Sequence, residues 1–211
     1  QWRQGDSLTM TRNADYWGGA PELPGVVFRP IVESQTRVAE LRSGGVDLIV
    51  EVPPDDVADL GSTDGITVAT EAGPHTWFLI LNALEPPLDD VRMRQALNYA
   101  INKESLVEDV LQGTATVAAG PVARAFGWAA APDLEPYPYD PDRAKELMAE
   151  AGYADGAELT FYVTQGGSGM LDPVPMGEAI QADLAAVGFD VSIQTFEWNA
   201  FLNEVNAGIE G

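Results

Sequence analysis

The residue types that most often do chemistry are a single histidine, His75, and a glycine-rich run, "TQGGSGMLD" (164–172). A Ser-His-Asp triad needs its serine on a sharp elbow of the form G-x-S-x-G, and the serine of "GGSGM" stands in a different frame. His75 therefore reads as a ligand-facing or hinge residue, or as an ordinary loop histidine. The "GGSG" segment, Gly166 to Gly169, could cradle an anion with successive backbone N–H groups. A phosphate loop would also need Gly-Lys-Ser/Thr opening a helix, and no lysine lies near it. That leaves a rim touching a ligand's backbone, or a plain turn. Carboxylates come in pairs: Asp55 with Asp56, Asp89 with Asp90, Glu150 with Asp155. Glycosidase chemistry needs two carboxyls facing each other across a substrate, and sequence adjacency does not produce that geometry. Helix capping and solvation explain the pairs. No D-x-[DN]-x-[DN]-G loop is present, and the absence of cysteine excludes disulfides, thiolate zinc sites and cysteine nucleophiles. No catalytic residue, metal or cofactor is expected, and the chain reads as a non-enzyme.

The tryptophans are Trp2, Trp17, Trp77, Trp128 and Trp198. Trp77 falls in an expected strand, and Trp128 in a long loop with Phe126. Aromatic side chains beside a cleft hold apolar or amphipathic ligands through broad, low-entropy contacts. Core packing is the equal alternative for Trp77 and Trp128, and the favoured reading for Trp17 and Trp198.

The elements that must position these residues alternate in type. "DSLTMTRN" and "VVFRPI" read as strands, and "SQTRVAELRSGG" as a helix with Ser34 as cap and Gly44-Gly45 as stop. "VDLIVEV" (46–52), "ITVATEA" (66–72) and "TWFLILN" (76–82) read as further strands, with a short helix from "PDDVADLGS". A long amphipathic stretch, "DDVRMRQALNYAINKESLVEDVL", takes Asp89 or Asp90 as cap, breaks near Asn102 and ends at Gly113. A Pro- and Ala-rich passage comes next. Asp140 and Pro141 then open a helix that runs to Gly152. "AELTFYVT", "MGEAIQADLAAVG" and "FDVSIQTFE" give strand, helix and strand, and "WNAFLNEVNAG" a last helix. Alternation of this kind argues for α/β with largely parallel or mixed sheets.

The 211 residues suit one large domain or two small ones, and 45% hydrophobic content can fill a core. No run of 18 apolar residues spans a membrane. The net charge is −22 and the lysines are only Lys103 and Lys145, so a nucleic-acid partner finds no basic footprint. Such acidity favours a solvated surface and also suits a salty environment.

Five blocks, taken in order, carry a resemblance: "RNADYWGGAPELPGVVFRPI", "TRVAELRSGGVDLIVEVPPDDV", "LNALEPPLDDVRMRQALNYAINKESLVEDVL", "YPYDPDRAKELMAEAGY" and "IQADLAAVGFDVSIQTFEWNAFL". Together they resemble the solute-binding proteins of dipeptide, oligopeptide and nickel ABC importers, the bacterial extracellular solute-binding family 5. The resemblance implies an α/β fold like the type II periplasmic binding proteins. It also implies that this is the middle of a longer two-lobed chain. Residues 1–73 are then the later part of lobe one, 74–82 a hinge-side strand, and 83–211 most of lobe two. The opening segment does not read as a signal peptide, in keeping with such a middle piece. In this frame the long helix of the third block is a scaffold wall, which accounts for its lack of catalytic groups.

By the same resemblance, Val50 and Glu51 face the cleft from lobe one. His75, Thr76 and Trp77 contact ligand from the hinge-side strand, and Gln165, Gly166 and Asp172 from a lobe-two loop. Trp128 joins them by loop position. The implied partners are a peptide or other small solute and the transmembrane subunits of an ABC permease. The protein would be periplasmic or extracellular, a monomer peripheral to the membrane, with lipid anchoring through an N-terminus outside this sequence. The alternatives are a binder of nickel chelates, opines or oligosaccharides, or a ligand-sensing domain of a receptor or regulator.

Overall fold

The computed structural model describes residues 1–131, 133–167 and 169–208. Ser168, the serine of the glycine-rich run, lies outside the described residues. The chain divides into two compact units, Gln1–Val52 and Pro53–Gly211.

In the first unit, β1 (Trp2–Arg3), β2 (Ser7–Thr11) and β3 (Gly25–Phe28) form an antiparallel sheet in sequence order. The register sets Trp2 opposite Leu8, Leu8 opposite Phe28, and Met10 opposite Val26. Directly opposed residues share a face, so these five apolar side chains form one surface while Ser7, Thr9 and Thr11 take the other. All five are exposed, Trp2 at 72% and Phe28 at 56%. α1 (Ser34–Ser43) comes next and stops at Gly44, which takes the left-handed conformation at φ 76°. Ser34 is the first helical residue rather than the cap; Glu33 holds the cap position without a side-chain bond. Arg37 is the unit's brace. Its guanidinium donates to the carbonyls of Ile31 (3.0 Å), Val32 (2.8 Å) and Glu51 (3.2 Å). Trp17, expected in a core, is 91% exposed and lies against the ring of Tyr16.

The second unit begins with α2 (Pro54–Gly61) and has its core around α3 (Val91–Ala100). Asp90 starts α3 by accepting the N–H of Arg92 at 2.8 Å. Met93, Ala96, Leu97 and Ala100 recur at helical spacing and are all buried. They pack against α5 (Pro141–Glu150) and α6 (Pro173–Val187). Asp140 caps α5, accepting the N–H of Arg143. Arg92 ties the two helices, since Nη1 donates to the last carbonyl of α5, Glu150, at 2.6 Å. After a break at Asn102, α4 (Lys103–Ser105) runs directly into a single π turn over Leu106–Val110. The Asn102 N–H donates to Asp183 Oδ2 at 2.8 Å, pinning that corner to α6. Lys103 is half-buried beneath it, donating to the carbonyl of Asn98.

β4 (Ala157–Thr164) and β5 (Phe189–Phe196) pair in parallel, Ala157 with Phe189 through Thr164 with Phe196. Parallel neighbours need a crossover, and α6 supplies it. Phe189 (2% exposed) and Ile180 (1%) lock sheet and helix together; burying each such side chain contributes roughly 1.5–3 kcal/mol. α6 lies so close to β4 that a Cβ at Gly177 would stand 2.9 Å from Val163 Cγ2. α7 (Trp198–Ala207) closes the described chain.

Three expected strands are not strands. Residues 46–52, 66–72 and 76–82 join no ladder among the described residues. Periodicity makes a segment able to be a strand, but a strand exists only beside a hydrogen-bonded neighbour. Residues 77–81 keep the alternation all the same. Trp77, Leu79 and Leu81 pack against the core, while Phe78 and Ile80 are 65% and 55% exposed. The α/β class stands, and no helix among the described residues is long and apolar enough to cross a membrane.

Candidate binding site

The second unit gathers four of the sequence-derived residues around one loop. β4 ends at Thr164, and the Gln165 N–H carries the ladder one step further by donating to the Phe196 carbonyl at 2.8 Å. The Thr164 side chain is buried and its hydroxyl donates to the carbonyl of Gly166. The Met170 N–H donates to the Gly167 carbonyl at 3.0 Å. Asp172 then leads into α6.

Two aromatic rings lie on this loop. A Cβ at Gly169 would meet His75 Cγ at 2.5 Å and Nδ1 at 2.6 Å. A Cβ at Gly167 would meet Trp198 Cε3 at 2.6 Å and Cζ3 at 2.9 Å. All four distances are shorter than an ordinary van der Waals contact, so only glycine fits at either place. Trp198 is fixed in turn as the first residue of α7, stacked on Phe201 with ring centroids 6.1 Å apart.

Asp172 is a non-glycine residue at φ 41° and makes no capping bond from its side chain. Partial burial, and after it the like charges of Asp55 and Asp56, pushes its carboxyl above the ordinary carboxylate range. α2 therefore brings two carboxylates into the neighbourhood of the loop. Arg92, Arg94, Lys103 and Arg143, four of the unit's six cations, have their partners elsewhere, on Asp90, Leu88, Asn98 and Glu146. Among the described residues no group of three potential metal ligands comes together.

The other sequence-derived residues have varied surroundings. Thr76 is half-buried next to His75. Trp77 packs on the core, and its indole N–H is buried with no hydrogen-bond partner among the described residues. Trp128 stands 93% exposed just beyond a short 3-10 turn, Arg124–Phe126, and is not gathered with the others. Val50 and Glu51 belong to the first unit. Val50 is 65% exposed, and Glu51 sits at φ 56° with its carbonyl on Arg37. Sequence reasoning missed Trp198, Asp55 and Asp56. A usable signal existed for Trp198: two parallel strands of equal length in register bring together the residues just past their C-terminal ends. Residues 165–167 and 197–198 occupy those places.

Residues 1–209 match the family model described as bacterial extracellular solute-binding proteins, family 5 middle. Heme-binding protein A of Haemophilus influenzae is 32% identical over all of this chain and 39% of its own length. Di/tripeptide-binding protein 2 of Pseudomonas aeruginosa is 32% identical over 99% of this chain and 39% of its own. The periplasmic binding protein DppA of Helicobacter pylori, solved with the peptide STSA, superposes with a TM-score of 0.88. It is 32% identical over 99% of this chain and 40% of that one. The chain thus spans about two fifths of the length of these relatives, and its fold is that of the corresponding part of a periplasmic binding protein. The chain belongs to family 5 of the bacterial extracellular solute-binding proteins.

Proposed function

We propose that this chain is the middle of the substrate-binding component of an ABC importer, which captures short peptides between two lobes and delivers them to a membrane permease. The single observation that carries this reading is the match along the whole chain to a relative solved around a peptide. In this assignment residues 1–73 belong to lobe one, 74–82 run along the hinge, and 83–211 make up most of lobe two. The protein works outside the cytoplasm, in the periplasm or at the cell surface, where a lipid anchor would hold it. Binding is not followed by turnover.

The glycine-rich loop suits peptide capture. In this reading Gln165 and Gly166 lie beside the extended ligand, whose recognition rests on strand-like backbone hydrogen bonds that do not depend on side-chain identity. Asp172, Asp55 and Asp56 favour the ammonium of a peptide over an anionic solute. His75 lies against Gly169 with Thr76 next to it in the chain, and in this reading both contact the ligand while Val50 and Glu51 act from lobe one. Closure is a population shift, so the peptide must bind the closed form better than the open one. Heme is the second reading, since the heme-binding relative is equally similar.

The test is native mass spectrometry, with absorption spectra, on full-length protein purified without denaturation. A mixture of short peptides is the expected cargo. A porphyrin absorption band, a single sugar or a metal chelate would overturn the peptide reading.

A further inference from the structure

The carboxylates that dominate this chain stop for one long stretch. Residues 110–132 hold no aspartate or glutamate, a run of 23, while the next longest acid-free run in the sequence is 13. From Pro121 to Ala129 every residue except Ala123 is exposed. Val122, Phe126 and Trp128 put apolar surface there. The hydrogen bonds of this segment are local: the N–H groups of Phe126, Gly127 and Ala129 donate to the carbonyls of Ala123, Arg124 and Phe126 at 3.0, 3.1 and 2.7 Å. Arg124 makes no ion pair or side-chain hydrogen bond among the described residues, although acids outnumber bases three to one in this chain. Solvation does not explain an acid-free surface on a protein solvated by carboxylates elsewhere. A basic protein partner would select carboxylates, the reverse of what is found. A bilayer selects what is present. Aromatic rings of mixed character sit at headgroup level, a guanidinium meets lipid phosphates, and no carboxylate stands there to be repelled by anionic headgroups.

We propose that residues 121–129 are a bilayer-contact loop, in which Phe126 and Trp128 enter the headgroup region and Arg124 pairs with lipid phosphate. The setting rests on the reading that the protein works outside the cytoplasm; the affinity for lipid does not. An anionic bilayer repels the carboxylates on the rest of the second unit, so the acid-free loop is the surface that can approach it closely. The contact thereby fixes which side of this unit faces the membrane. One acyl chain alone gives marginal membrane binding, and a second signal makes it stable. The loop supplies that second signal beside a lipid anchor. Trp128, expected from its loop position to touch ligand, serves the membrane instead.

The experiment is co-sedimentation of full-length protein, carrying no lipid anchor, with phosphatidylcholine vesicles that contain phosphatidylglycerol, at low salt. Wild type is expected to bind. Trp128→Ser should weaken binding about tenfold, as the loss of a ring partly withdrawn from water requires. Arg124→Gln should weaken it about fivefold on these vesicles and much less on phosphatidylcholine alone. Ala129→Glu puts a carboxylate into the loop and should weaken binding at least as much as Trp128→Ser. Gln194→Glu adds the same charge at an exposed position of β5 and should stay near wild type. Full-length protein that ignores the vesicles would overturn the proposal, whether another part of the same protein or a permease subunit then covers the loop. Equal losses from Ala129→Glu and Gln194→Glu would also overturn it, because net charge rather than the loop would be at work. Native mass spectra of the cargo, taken on the same preparation, judge the peptide reading separately. Peptide cargo without vesicle binding sinks only the loop, and vesicle binding with a different cargo sinks only the peptide.

Discussion

Salt should stabilise this chain steeply, and the size of the effect comes from its charge. Residues 53–211 carry 26 acidic and six basic side chains, a net charge of −20. Ion pairs in this unit neutralise little of it: Arg92 meets Asp90, and Arg143 meets Glu146 and Glu150. The β4–β5 register even sets Glu158 opposite Asp190. A folded unit of roughly 160 residues has a radius of gyration of about 15 Å, a sphere of radius about 19 Å, against about 42 Å for the radius of gyration when unfolded. Spreading this charge over the two spheres in water, with Debye lengths of about 10 Å at 0.1 M and 3 Å at 1 M, gives repulsion opposing folding. The net opposition is about 12 kcal/mol at 0.1 M and about 5 kcal/mol at 1 M. Raising NaCl tenfold is thus expected to add several kcal/mol, with about 7 kcal/mol as the smooth-sphere limit. Urea unfolding followed by circular dichroism at each salt concentration measures it. The control replaces Asp64, Glu71, Asp133, Glu135, Asp155, Glu158, Glu178 and Asp190, all exposed, with their amides. The net charge of the unit falls to about −12, and because repulsion scales with charge squared, the salt response should shrink to about a third. Stability that is flat or falls with salt would refute this account, as would an unchanged slope in the amide variant.

Four further outcomes can be checked by denaturation. Gly177→Ala gains up to about 1 kcal/mol of helix propensity but drives a methyl to 2.9 Å from Val163 Cγ2; overpacking at about 1–3 kcal/mol wins. Adding Val163→Ala should relieve the clash, and simple additivity of the two changes would dispose of this reading. Asp183→Ala orphans the half-buried Asn102 N–H and should cost about 1.5–3 kcal/mol, with Asp183→Asn milder; equal stability of all three proteins would mean the tie is idle. Asp90 has its carboxyl lowered to about 2 by the hydrogen bonds of the Arg92 side chain and then its backbone N–H. Its folded value lies below its unfolded one, so its contribution is present above about pH 4 and is lost as pH falls towards 2. Asp90→Asn should flatten that limb of the urea-midpoint profile. Asp172, shifted upward by burial and then by Asp55 and Asp56, has the opposite sign: its contribution is greatest in acid and is lost as pH rises through its folded value, so Asp172→Asn should remove that loss.

Helices were readable because their ends carry their own signals. Asp90, Asp140 with Pro141, and Gly44 mark starts and a stop in the sequence itself, and the structure uses each of them. Strands were readable as patterns but not as partners. Residues 77–81 alternate as a strand would, yet pair with nothing described, because the neighbour that would make a ladder is not encoded in the segment. β4 and β5 do pair, and they are the two strands joined by a helix of the right length to bring them side by side. The loop carrying Gln165, Gly166 and Asp172 was located by its glycines and by resemblance. The place of the Trp198 ring against Gly167 depends on the β4–β5 register, which is why Trp198 read as core. Trp17 failed for the opposite reason: size and apolarity suggest burial, but they do not supply a surface to be buried against.

The π turn at Leu106–Val110 makes this chain sensitive to residue number at that point. Each residue of an ordinary helix rotates the chain by about 100°, and a π turn takes up one residue more than the surrounding winding allows. A one-residue deletion between 106 and 110 would let the segment rewind as a regular helix, swinging Leu111, now buried at 5%, away from its present seat. Everything strung between Gln112 and Asp140 would be re-aimed with it. Length variation among homologous chains should therefore avoid this turn or arrive there together with a compensating change nearby, whereas substitutions that keep the count are far better tolerated.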